Sequence, residues 1–270
     1  MQGERALAAS DADGRTGDSD ELQTMGLLDH LEELRTRLIR SLIAILVAFL
    51  GCWVFSKDIY SFLAEPIHRL LPEGKKLAFL GVADPFMIYV KVSALAAVFV
   101  ASPVVLWQVW SFVSPGLYRH ERRLAGPFIL CGSLLFLAGG AFGYYIAFPF
   151  AAEFLLEMGD QFEPTITVTR YLSFLMTIIL GLGIMFELPT MIFFLSRLGL
   201  VTPDFLMRHF RYAVVLIFVL AAVITPTPDV VNLCIFALPT LGLYLVGVGV
   251  AALFGPPRRD EPATDDSSSG

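Results

Sequence analysis

The sequence predicts an all-α membrane protein of six transmembrane helices, with short helices in its first extracytoplasmic loop. Three observations lead there. The composition is 56% hydrophobic and only 16% charged, with a mean hydropathy of +0.70, too apolar for an ordinary soluble domain of 270 residues. Six apolar runs follow one another along the chain. Two loops on one side are basic, whereas the loop 149–169 on the other carries acids and no lysine or arginine.

Residues 1–24, rich in Gly, Ser, Asp and Ala, contain no apolar run and no basic leader pattern, so they read as a disordered acidic tail. Much of the net charge of −6 resides in this head and in the tail from 255 to 270. Between the tails, 25–254 forms one membrane domain. Leu27, Leu31, Leu34 and Leu38 recur at helical spacing and predict an interfacial helix with Glu33, Arg37 and Arg40 off its apolar stripe. That helix leads into a first span at about 38–55.

From Ser56 to Met87, Pro66, Pro72, Pro85 and Gly74 punctuate short hydrophobic pieces, and proline is expected to limit the helices there to short ones. The second and third spans, about 88–113 and 124–148, are separated only by a basic turn. Residues 149–169 carry Glu153, Glu157, Asp160 and Glu163 and read as a loop on the opposite side. A fourth span covers 171–195. The last two read as short, 212–224 and then 230–246 or slightly longer, joined by Thr225-Pro226-Thr227-Pro228-Asp229. At about 1.5 Å per residue the fifth reaches only ~20 Å, against roughly 30 Å of hydrocarbon, so the bilayer should thin there. Thirteen of the nineteen Lys and Arg fall on the side of both termini, which makes that side cytoplasmic.

Two clusters on that side stand out. In Trp107–Arg123 an apolar helix runs out into a turn where a single carboxylate, Glu121, sits amid Arg119, His120, Arg122 and Arg123. The second cluster, Asp29–Arg37, also mixes acids and bases, and two such patches on one face suggest a composite site. Inside the fourth span lies Glu187, ten residues before Arg197 and therefore about 15 Å deep. Such a carboxylate costs about 2.5–3.5 kcal/mol at the helix centre, so it should be protonated, wetted or hydrogen-bonded. Pro189 beside it frees the carbonyl of Met185 and predicts a kink.

Enzyme chemistry finds little support. Gly74-Lys75-Lys76 lacks the rest of a phosphate-binding loop, and His120-Glu121 is followed by Leu124 where a zinc-binding helix would need its second histidine. Cys52, Cys131 and Cys234 lie in separate apolar runs, which indicates neither a disulfide framework nor a metal site. Gly139-x-x-x-Gly143 is compatible with close helix packing. On these residues alone a secondary transporter or proton-coupled channel using Glu187 stays open, as does a scaffold without a ligand.

Several separated motifs, in order, resemble one family. They are His30–Arg37, Asp84-Pro85-Phe86, Gln108-Val109-Trp110 through Pro115, His120–Arg123, Phe186-Glu187-Leu188-Pro189 and Thr225–Asp229. Over roughly residues 25–250 the chain resembles the TatC family, the multispanning subunits of the twin-arginine protein translocase. The resemblance implies a cupped helical bundle in the bacterial cytoplasmic membrane, with cytoplasmic termini and an extracytoplasmic cap of short helices from the first loop, that receives twin-arginine signal peptides of folded cargo. It implies a peptide site of Glu33, Glu121, Arg35, Phe112, Pro115, Leu117 and Arg122. It also implies an intramembrane partner site of Glu187, Pro189, Thr225, Pro226 and Asp229. The implied partners are the single-span subunits TatA and TatB, further copies of the chain and membrane lipid, with no nucleic acid, cofactor or metal.

Overall fold

A computed structural model describes residues 30–70, 77–113, 125–159, 161–162, 165–225, 227 and 229–254. Both tails, and Pro115, Leu117, Glu121, Arg122 and Pro226, lie outside the described residues.

The described chain is a bundle of ten α-helices. They include five rods long and apolar enough to cross a membrane, two of them built from two helices each; the first rod, α1, is His30–Val54. Next come α2 (Ser56–Leu70), α3 (Asp84–Val113) and α4 (Ala125–Phe142), which passes through a π turn, Gly143–Ala147, into α5 (Phe148–Met158). Two helices, α6 (Val168–Phe186) and α7 (Leu188–Arg197), meet at Glu187. The short α8 (Pro203–Arg208) and α9 (Phe210–Ile224) lead to α10 (Val230–Phe254).

The core gathers around α6, whose Leu172, Leu175, Ile178 and Leu182 are fully buried. Its principal partner is α4, and the glycines explain the closeness. A Cβ on Gly139 would stand 2.6 Å from the Leu182 carbonyl oxygen, and one on Gly143 would stand 3.1 Å from the Ile179 Cα. The Gly139/Gly143 pair therefore works within the chain, between α4 and α6. Likewise α7 packs on α10, where Gly247 admits Ile192 and Pro189.

Four expectations are corrected. The expected interfacial helix and first span are one continuous helix, α1, whose leucine stripe is turned outward: Leu31 is 60% exposed and Leu38 57%, whereas Glu33 and Arg37 share the packed face with Ser41, Ile45, Phe49 and Trp53. Apolar periodicity marks the lipid-facing side here, because in a bilayer the outside is as apolar as the core. The proline-rich loop holds one 15-residue helix, α2, with Pro66 inside it. Pro66 cannot bond the Phe62 carbonyl, and the Tyr144 hydroxyl takes that place at 2.5 Å. The third helical rod does not stop at 148 but continues through α5, because Phe148, Ala151 and Ala152 are buried against the bundle. Finally, α10 is 25 residues long and long enough to span, so of the last two expected spans α9 alone falls short of the bilayer thickness.

Beyond α2, Ala78 pairs with the strand-like residues before α6: its N–H donates to Ile166 and its carbonyl accepts from Val168, at 3.1 and 2.9 Å. The Tyr171 hydroxyl donates to the Leu63 carbonyl, next to the one Tyr144 holds. The cap helix is thus fastened from below by two tyrosines on two different rods.

Candidate functional site

The first site forms where α1 begins and α3 ends. Helix α1 lies antiparallel along α3 and touches it at three levels. The His30 ring stacks on Phe112 with centroids 4.4 Å apart, Arg37 Nη1 reaches Gln108 Oε1 at 3.4 Å, and Trp53 meets Phe86 edge to face at 5.8 Å. The other guanidinium nitrogen of Arg37 donates to Glu33 Oε1 at 3.1 Å. Their side chains are 24% and 33% exposed, so the pair is partly shielded from water and worth more than a free surface pair. A shallow depression lined by Glu32, Glu33, Thr36, Arg37 and Arg40 opens beside it.

Beneath this patch Trp110 packs on Phe194 at 5.1 Å, joined by Ile129, Leu106 and Leu198. That small apolar cluster ties the end of α3 to the start of α4 and the end of α7, so the patch rests on three rods. Of the expected peptide-site residues, Glu33 and Phe112 lie here, whereas Arg35 is exposed and makes no ion pair among the described residues. Arg37, His30 and Gln108 hold the patch together; they stood among the motifs but not among the expected peptide-site residues. The Glu33–Arg37 spacing of four was a legible signal; the reach of Gln108 across to another helix was not.

The second site centres on Glu187. It ends α6 with φ −74° and ψ −7°, and Pro189 occupies the first turn of α7, so the expected kink falls at the acid itself. The carboxylate is directed toward α4, where a Cβ on Gly132 would lie 3.2 Å from Oε2, with Leu106 of α3 closing the other side. Thr190 hydrogen-bonds to the carboxyl group, while Oε1 is buried without a hydrogen-bond partner among the described residues. An acid with one satisfied and one orphaned oxygen can accept a donor that arrives later.

The remaining expected residues occupy a separate place. Thr225 is buried and donates to the Ala221 carbonyl at 2.6 Å. Asp229 caps α10, accepting from the Asn232 backbone and side-chain amides at 2.7 and 2.8 Å. Ile224 packs at the level of Gly181, six residues before Glu187 or about 9 Å along the helix. No hydrogen bond among the described residues joins Glu187 to Thr225 or Asp229. What was expected as one intramembrane site is two neighbouring features.

The family described as Sec-independent protein translocase protein (TatC) matches residues 29–239. The chain belongs to the TatC family. A protein of that name from Koribacter versatilis is 46% identical over 243 residues, covering 89% of this chain and 90% of its own. Another from Helicobacter pylori strain J99 is 43% identical over 235 residues, covering 87% and 92%. Two crystal structures described as the twin arginine translocase receptor TatC, one of them in DDM, are each 37% identical to the chain. They superpose with TM-scores of 0.72 and 0.74, and the match covers 83% and 82% of this chain and 98% and 99% of theirs. The family is a protein translocase component, and with its apolar helices this chain is a membrane protein of Sec-independent transport.

Proposed function

We propose that the chain is the receptor subunit that binds twin-arginine signal peptides of folded cargo at the patch around Glu33, and that it assembles with TatA and TatB for export driven by the proton-motive force. In this reading both termini are cytoplasmic, the membrane is the bacterial cytoplasmic membrane, and several copies work together. The supporting observation is the partly shielded Glu33, already engaged by the guanidinium of Arg37 at 3.1 Å. A carboxylate that accepts one arginine in this setting has the chemistry to accept another, and a planar fork of donors suits it better than the point charge of lysine. Glu121, with Pro115, Leu117 and Arg122, completes the peptide site in the same reading.

The test is co-purification of the full chain with a twin-arginine signal peptide and with its twin-lysine form, repeated for Glu33→Ala. Retention of the arginine form alone, weakened by the substitution, supports the reading. Equal retention of both forms, or no effect in a Glu33→Ala/Glu121→Ala double variant, overturns it. The outer face of the short α9 is proposed as the docking edge for a single-span subunit, because Leu220 and Val223 are exposed there at 43% and 78%. Cysteines at these two positions should crosslink to a partner span in membranes.

A further inference from the structure

At the end of the bundle opposite Glu33, two cavities join beneath the cap helix. The inner one, of about 280 Å³, is almost wholly apolar and runs between α2, α3 and α4, past Leu95, Phe99, Leu137 and Gly140. An outer one of about 450 Å³ is bordered by Glu65, Pro66, Arg69 and Pro149. Phe62, Tyr144 and Tyr145 line both, so one slot continues into the other.

The junction is built by the π turn of the third rod, a feature that recurs at functional sites. Tyr144 turns inward, stacked on Phe62 at 4.6 Å, and Tyr145 stands outward and 65% exposed, edge to face with Tyr144 at 4.7 Å. An amphipathic ring at the mouth of an apolar slot belongs at the level where headgroups meet acyl chains. From Pro149 to Leu137 the slot spans twelve positions, about 18 Å at helical rise, close to the ~15 Å depth of one leaflet's hydrocarbon.

The polar end carries two opposite charges. Arg69 Nη2 donates to Glu65 Oε1 at 2.6 Å, and both side chains are largely open, at 76% and 53% exposed. The guanidinium has further N–H donors for a phosphate, and the carboxylate has lone pairs for a primary ammonium. A headgroup bearing both groups matches this pair, one charge to each.

We propose that this continuous slot is a binding site for a zwitterionic aminophospholipid, with one acyl chain between α3 and α4, its phosphate on Arg69 and its ammonium on Glu65. The site depends on the cap helix and not on the signal-peptide patch. A bound lipid would brace the cap against the bundle from the bilayer side.

The test uses the full chain in nanodiscs containing equal shares of phosphatidylethanolamine, phosphatidylcholine and phosphatidylglycerol, with the lipids retained on the released protein identified by native mass spectrometry. Wild type should retain the ethanolamine lipid about fivefold over the choline lipid, equivalent to roughly 1 kcal/mol, since a trimethylated nitrogen has no N–H to give Glu65. Ala141→Trp, at an exposed wall position, should close the slot and abolish retention, and Glu65→Ala, which removes the ammonium's acceptor, should remove the preference. Both positions face outward, so neither change burdens the core. Equal retention of all three lipids, a preference untouched by Glu65→Ala, or retention surviving Ala141→Trp would each overturn the proposal. So would a photo-crosslinker at 141 that captures polypeptide in place of lipid.

Discussion

Glu187 on the α6–α7 junction lies against Gly132 of α4, so close that a single methyl group at 132 would sit 3.2 Å from the carboxylate. Gly132→Val should therefore push the acid out of its recess and reproduce much of the loss caused by Glu187→Ala. Glu187→Gln, which keeps the size and hydrogen bonding, should retain much of the transport activity. Peptide retention should survive in all three, because the Glu33 patch is untouched. Transport assays beside peptide co-purification check this, and wild-type transport by Glu187→Ala would refute it.

Tyr144 supplies the hydrogen bond that Pro66 denies to the Phe62 carbonyl. Tyr144→Phe should leave a part-buried acceptor unsatisfied, at a cost of about 1–3 kcal/mol. The loss should be local: amide hydrogen exchange in α2 should speed up about tenfold or more while α6 stays protected. Restoring the helical bond with Pro66→Ala in the same chain should recover most of the protection.

Close approach of α4 and α6 makes Gly139 intolerant. Gly139→Ala places a methyl 2.6 Å from the Leu182 carbonyl oxygen and 2.8 Å from Phe186, so backbone must shift, at about 1–3 kcal/mol. Gly51→Ala in α1 meets nothing within 4 Å and should be neutral or slightly stabilising. Thermal denaturation in detergent separates the two.

Asp229 provides a pH signature. Burial pushes its carboxyl up, but hydrogen bonds from Thr227, Asn232 and Val231 outweigh this and hold it below the ordinary value of 3.8. A carboxylate with a depressed folded-state value stabilises fully above 3.8 and loses that contribution as pH falls through the lower folded value. Asp229→Ala should cost about 0.5–2 kcal/mol of cap stability near neutral pH. Its difference from wild type should stay constant from neutrality down to about pH 4.5 and shrink only below 3.8, as read by melting temperature across pH.

The apolar helical rods, the shortness of α9, the break beside Pro189 and the membership of Glu33 in a mixed-charge patch are all legible in the amino-acid order. Each follows from composition, run length or a proline, all local properties of the chain. Which way the rods face is set by packing between them. The spacing of Leu31, Leu34 and Leu38 defines a stripe, yet a stripe toward lipid and a stripe toward protein are equally apolar, and α1 turns its leucines outward and Glu33 inward. The same limit hid the partners of Glu187, since Gly132 lies on another rod and contributes space, not a chemical group. It also hid the survival of α2 through Pro66, which depends on a tyrosine 82 positions away reaching one orphaned carbonyl. Local rules state what a segment needs; only its neighbours in space can supply it.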